Sequence, residues 1–126
     1  MIVADTSAVV ALIDADDRHH IRLAALFQAD PDAWLLPWAI LPEVDHLLRK
    51  HVGKDAARAF ARDLAEGRYA LDRGEPADLA RAAELTERYG DRGLGLVEAI
   101  VIAVAERFAV VDTVDDALAF LGAVTG

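Results

Sequence analysis

Asp5 stands where a short apolar run, Ile2-Val3-Ala4, gives way to the helical spacing of Ala8, Val9, Ala11 and Leu12. The run suits a buried strand and the spacing suits the helix after it, so Asp5-Thr6-Ser7 is the junction between two elements. In an open parallel sheet such a junction lies at the carboxyl ends of the strands, where ligand-binding groups collect. The same tripeptide also suits an ordinary helix cap. Glu98 is harder to read as routine. It opens the most apolar stretch of the chain, Leu94 to Phe108, and its neighbours three and four positions away are Leu94, Gly95, Val101 and Ile102, none of which can pair with it. A lone carboxylate buried on such a helix requires a partner or a proton, and the helix dipole contributes only about 1 kcal/mol or less. The compensating group is an Arg or a cation.

Two further acids fit the same pattern: Glu43 opens a helix, and Asp115 or Asp116 follows the last apolar run. A parallel sheet brings all of these to one edge. Two carboxylates 4 Å apart repel by about 4 kcal/mol at an effective dielectric of 20, so the quartet is a liability unless divalent cations occupy it. An all-oxygen set suits Mg2+ or Mn2+, which keep several waters and accept phosphate oxygens. The chemistry implied is hydrolysis of a phosphodiester, with a water activated for attack and charge stabilised on the leaving 3′ oxygen.

The elements that must position these acids alternate between short apolar runs and amphipathic stretches. Trp34-Leu-Leu-Pro37 and Tyr69-Ala-Leu71 read as the second and third strands, and Ala109 to Val111 as a fourth. Helices are expected after His20, with Ile21, Leu23, Ala24, Leu26 and Phe27, and from Glu43 to about Val52, with Val44, Leu47, Leu48 and His51 inward. Lys54 to Glu66 follows, with Ala57, Phe60, Ala61 and Leu64 inward; then come Ala77 to Tyr89, Leu94 to Phe108, and a terminal helix with Leu118, Phe120 and Leu121. Strands alternating with helices predict an α/β fold, a three-layer domain with a central, mainly parallel sheet. His19 and His20 are adjacent and point about 100° apart on a helix, so they cannot chelate as an i, i+4 pair would. Gly90-Asp-Arg-Gly-Leu-Gly95 lacks both the G-x-G-x-x-G spacing and the Gly-Lys-Ser/Thr ending of nucleotide-binding loops. Lys54, Arg58 and Arg62 stand four apart on one helical face, either as a track for an RNA backbone or as an ordinary solvated face.

Composition narrows the classes. A chain of 126 residues, 55% of them hydrophobic, is expected to form one domain, 1–126, with a genuine core. The net charge of −9 argues against a surface that coats nucleic acid, although a carboxylate cluster inverts its local sign once cations bind. No apolar run approaches the roughly 20 residues of a membrane span, and no basic segment precedes an apolar one at the N-terminus, which together point to the cytoplasm. The lack of cysteine excludes disulfides and thiolate metal sites.

Taken in order, Ile2-Val-Ala-Asp-Thr-Ser7, Pro42-Glu-Val-Asp45, Tyr89-Gly-Asp-Arg-Gly-Leu-Gly-Leu-Val-Glu-Ala99 and Thr113-Val-Asp115 resemble the successive motifs of the PIN domain, most closely its VapC-type toxins. The resemblance implies a metal-dependent endoribonuclease that uses Mg2+ or Mn2+, pairs with a VapB-like antitoxin and forms a homodimer. It makes Asp5 and Glu98 the principal metal ligands, completed by Glu43 and Asp115, with Asp112 and Asp116 as alternatives for the last position. Thr6 and Ser7 match the polar pair after the first acid, and Asp91 matches a frequent acid of the subgroup in a structural or supporting place. The family usually carries Asp where Glu98 stands. Two other readings remain: a PIN-like scaffold whose site has decayed and which only binds protein, and an Asp5-dependent phosphotransfer domain. The second lacks the Asp expected two residues after the nucleophile, where Ser7 stands, and a lysine after a late strand.

Overall fold

The structure, a computed structural model, describes residues 1–109. Strand β1 (Ile2–Val3) leads directly into helix α1 (Thr6–Ile13), and α2 (His20–Ala29) returns to β2 (Trp34–Pro37). Then come α3 (Leu41–His51), α4 (Lys54–Ala65), β3 (Ala70–Asp72), α5 (Pro76–Tyr89) and α6 (Leu96–Arg107). The strands form one parallel sheet in the order β1-β2-β3, with Ile2 opposite Trp34 and Leu35 opposite Ala70. This is the α/β architecture expected from the alternation of elements. The expected fourth strand, 109–111, lies outside the described residues apart from Ala109, which sits in the turn closing α6. The terminal helix expected around Leu118, Phe120 and Leu121 also lies outside them.

The core is built where the apolar spacing placed it. Val3, Ala4 and Leu36 from the strands meet Val9 of α1, Val44 and Leu48 of α3, and Val101, Ile102 and Val104 of α6, all 2% exposed or less. An aromatic cluster closes one side: Phe27 lies edge-on to Trp34 at 5.6 Å between ring centroids and tilted against Tyr69 at 5.5 Å, with Phe60 beyond. Such pairs add about 0.5–1.5 kcal/mol each beyond the area they bury. Two inward assignments are corrected. His51 and Ala61 are exposed, because α3 and α4 pack through narrower stripes, Val44 with Leu48 and Ala57 with Phe60. Gly53 separates the two helices at φ +141°, a conformation that side-chain-bearing residues rarely adopt.

Helices α5 and α6 form an antiparallel hairpin, joined through a 3₁₀ turn at Gly90–Arg92. Glu75 and Asp78 close a reciprocal capping box at the start of α5. At the same end Arg107, in the last turn of α6, donates to both carboxylate oxygens of Asp72 at 2.7 and 3.1 Å and to both of Asp78 at 2.9 and 3.1 Å. One guanidinium thus ties the end of β3 to both helices of the hairpin. Arg81 makes a second tie, to Glu106 at 3.1 Å.

Candidate active site

Asp5 occupies the junction between β1 and α1 with an extended backbone, φ −88° and ψ 177°, and its Oδ1 accepts the Ala8 N–H at 2.8 Å. Capping and ligand binding are therefore compatible roles, since that hydrogen bond engages one oxygen and leaves Oδ2 without a hydrogen bond among the described residues. The carboxyl group is 5% exposed. Burial lifts it above the usual carboxylate range, opposed by its hydrogen bond from Ala8 and reinforced by the nearby charges of Glu98 and Glu43.

Those two charges arrive from the first turns of α6 and α3, the positions where a carboxylate is also favoured by the helix dipole. The buried, partnerless Glu98 expected from the apolar helix is corrected: Glu98 is exposed. Its helix is buried from Ala99 onward, but the first turn emerges at the domain edge, so the carboxylate stays wet while its charge still reaches Asp5. Glu43, following Pro42, is exposed as well. No Lys or Arg pairs with Asp5, Glu43 or Glu98 among the described residues. Nor do any three His, Asp or Glu there come close enough together to hold a metal ion as they stand.

Thr6 is buried, and its Oγ1 has no hydrogen-bond partner among the described residues. A buried hydroxyl left unpaired costs free energy, so one so close to the acidic junction marks a place for a water or ligand. Ser7 is partly buried and lines a neighbouring groove. Asp91 lies exposed in the Gly90–Arg92 turn and is not among the charges acting on Asp5. Lys54, Arg58 and Arg62 are exposed on α4, Arg58 within 3.7 Å of Asp55. Asp112, Asp115 and Asp116 lie outside the described residues.

Gly95, within the glycine-rich loop, is where Glu98 finds its space. A methyl group on its Cα would come within 2.9 Å of Glu98 Oε2; the signal was its place three residues before Glu98, on the same helical face. Because the atom met is the end of a flexible side chain, Gly95→Ala should fold with less than about 1 kcal/mol change in stability. It should nonetheless push the Glu98 carboxylate aside. A loss of several kcal/mol in urea unfolding would show that the side chain has no room to move.

A family model described as PIN domain matches residues 2–121. Ribonuclease VapC26 of Mycobacterium tuberculosis (strain ATCC 25618 / H37Rv) is 30% identical over 107 residues, which cover 85% of this chain and 79% of the relative. The crystal structure of Mycobacterium tuberculosis VapC20, described as a sarcin-ricin loop cleaving toxin, superposes with a TM-score of 0.77 at 26% identity, over 86% of this chain and 84% of that one.

Proposed function

Because the chain belongs to the PIN-domain family, we propose that it is an endoribonuclease toxin that hydrolyses RNA phosphodiester bonds with Mg2+ or Mn2+. The observation that carries this reading is Asp5, buried at the start of α1, close enough to Glu98 and Glu43 to feel their charges, and with no Lys or Arg paired to it among the described residues. The similarity to a named ribonuclease and to a toxin described as cleaving an RNA loop supports it.

The donor set fits the ion. Asp5, Glu98 and Glu43 supply hard oxygens whose mutual repulsion a divalent cation relieves, and Asp115 is the fourth carboxylate, with Asp112 and Asp116 as neighbours. When bound, the ion supplies Lewis acidity toward a phosphodiester oxygen. The remaining work belongs to the chain. Asp5 is held in one orientation by Ala8 N–H, which engages Oδ1 and leaves Oδ2 for the ion. Glu98 and Glu43 adjust from exposed first turns, and Gly95 leaves the space Glu98 uses. The Thr6 hydroxyl, without a hydrogen-bond partner among the described residues, is placed to hold a water beside Asp5, with Ser7 next to it and Asp91 in the turn before α6. Lys54, Arg58 and Arg62 offer a track for RNA phosphates away from the acids.

The same reading gives a single domain, 1–126, that works in the cytoplasm as a homodimer held in check by a VapB-like antitoxin. An arginine from that partner would neutralise the acids in place of the ion. No helix among the described residues is long and apolar enough to cross a membrane.

Glu98 variants test the proposal. A ligand at a hundred times its dissociation constant adds about 2.7 kcal/mol to folding stability, so Mg2+ or Mn2+ should raise the melting temperature of chelator-treated protein. Glu98→Gln should lose both that rise and RNA cleavage, whereas Glu98→Asp should retain part of each. Cleavage by Glu98→Gln at the parent's rate under limiting Mg2+ would remove Glu98 from the site. A parent with neither cleavage nor a metal-linked rise would leave a scaffold that only binds protein.

A further inference from the structure

Beginning at Ser7, two residues past Asp5, a groove of about 380 Å³ lies between α1 and α3, closed at its far end by the turn before α2. On α1 its wall is Ser7 and Val10; on α3 it is Leu47 and His51, which lie four and eight residues beyond Glu43 on the same helical face. The wall therefore runs about 12 Å along α3 from the acid, several times the 3.4 Å spacing of stacked nucleotides. Asp16 and Arg18 project from the turn at the closed end. The Arg18 Nε–H donates to His19 Nε2 at 3.2 Å, while the side chains of His51 and Asp16 make no hydrogen bond among the described residues.

We propose that this groove is a subsite for one unstacked nucleobase of the RNA substrate, a base carrying an exocyclic amino group, beside the bond cut at Asp5. The proposal rests on the nuclease reading and adds to it a source of sequence preference. Val10 and Leu47 give the apolar surface that a base plane needs, and the imidazole of His51 gives a face on which it can stack. Carboxylates along the rim accept hydrogen bonds and cannot donate them. Asp14, Asp16 and Asp17 outnumber Arg18, whose Nε–H is given to His19, so the rim on balance repels phosphate and favours the amino groups of adenine, cytosine and guanine over the carbonyl oxygens of uracil. The volume falls within the roughly 300–1,000 Å³ of small-ligand pockets.

The test is cleavage of short single-stranded RNAs that differ only in the base at each position flanking the mapped cut, read as kcat/KM. The parent should cut about tenfold more slowly when one particular flanking position holds uridine. His51→Ala, an exposed change that should leave the melting curve in place, should lower kcat/KM about tenfold for the preferred base and flatten the preference. Asp16→Asn, which adds an amide donor to the rim, should raise cleavage of the uridine substrate relative to the others. A parent that discriminates nowhere, or variants that keep its profile, would overturn the subsite while leaving the nuclease reading intact. If the parent cuts no RNA, both fall together. Variants that keep the RNA profile but bind a VapB-type protein more weakly would assign the groove to protein and overturn the proposal.

Discussion

Asp5→Asn should cut RNA at least about 1,000-fold more slowly than the parent, a loss of about 4 kcal/mol in transition-state stabilisation, and should be the more stable protein at neutral pH without metal. Both effects come from the same buried carboxylate. Asparagine can still accept the Ala8 N–H as a helix cap, so the fold keeps its junction while the negative charge is removed. The stability effect follows from the raised folded-state pKa of Asp5. Below its ordinary value of 3.8 the carboxyl is protonated in both folded and unfolded chains, and its stabilising contribution is fully present. As pH rises through the higher folded-state value, the folded protein must bury a charge facing Glu98 and Glu43, and that contribution is lost. Melting temperatures of the two proteins in chelator should therefore converge toward acid and separate toward neutrality, with the variant above. Parallel curves across that range would mean that Asp5 carries no such strain, and cleavage near the parent's rate would remove it from the site.

Arg107→Ala should cost about 3 kcal/mol of stability and lower the melting temperature on the order of 10 °C. The change leaves Asp72 and Asp78, whose side chains are 10% and 7% exposed, without the guanidinium that bridges them. Arg107→Lys should recover only part of the loss, because an ammonium cannot make two paired contacts with two carboxylates at once. The acid limb offers an independent check. Hydrogen bonding to Arg107 holds the Asp78 carboxyl below its ordinary 3.8, so the stability it contributes is present above that value and is lost as pH falls through the folded-state pKa. The gap between parent and variant should narrow there. Urea unfolding would measure it directly, and a midpoint shift equivalent to less than 1 kcal/mol would show that solvent already satisfies both carboxylates.

The contrast between these two sites shows what was legible in the chain. Asp5 could be found because strand-to-helix junctions are visible in the switch of apolar spacing, and the topology of a parallel sheet gathers such junctions at one edge. The nearness of Glu98 and Glu43 to Asp5, close enough for their charges to act on it, follows from the same rule, although no three acids among the described residues stand close enough to hold an ion. The exposure of Glu98 did not, because apolar composition describes a whole helix and says little about where its first turn emerges from the core. His51 misled in the same way: it fits the stripe of Val44 and Leu48, but α3 is covered along only part of its length. Arg107 gave no local sign at all. Its partners lie 35 and 29 residues earlier in the chain, and no spacing rule within an element reaches that far. Gly95 was visible as a glycine, but its use depends on the rotamer of Glu98.

The parallel register has a further consequence during synthesis. β1 is made before its partner, which begins at Trp34, and β2 in turn waits for Ala70. Each pairing closes a loop of more than thirty residues, so neither forms until a whole crossover has left the ribosome. The acids are spread still more widely, at positions 5, 43 and 98. At about 5–20 residues per second, Glu98 is made roughly 5–20 s after Asp5. A chain halted anywhere before α6 carries at most Asp5 and Glu43 of these three acids. A nuclease that needed all three would therefore stay idle at the ribosome until α6 had been made.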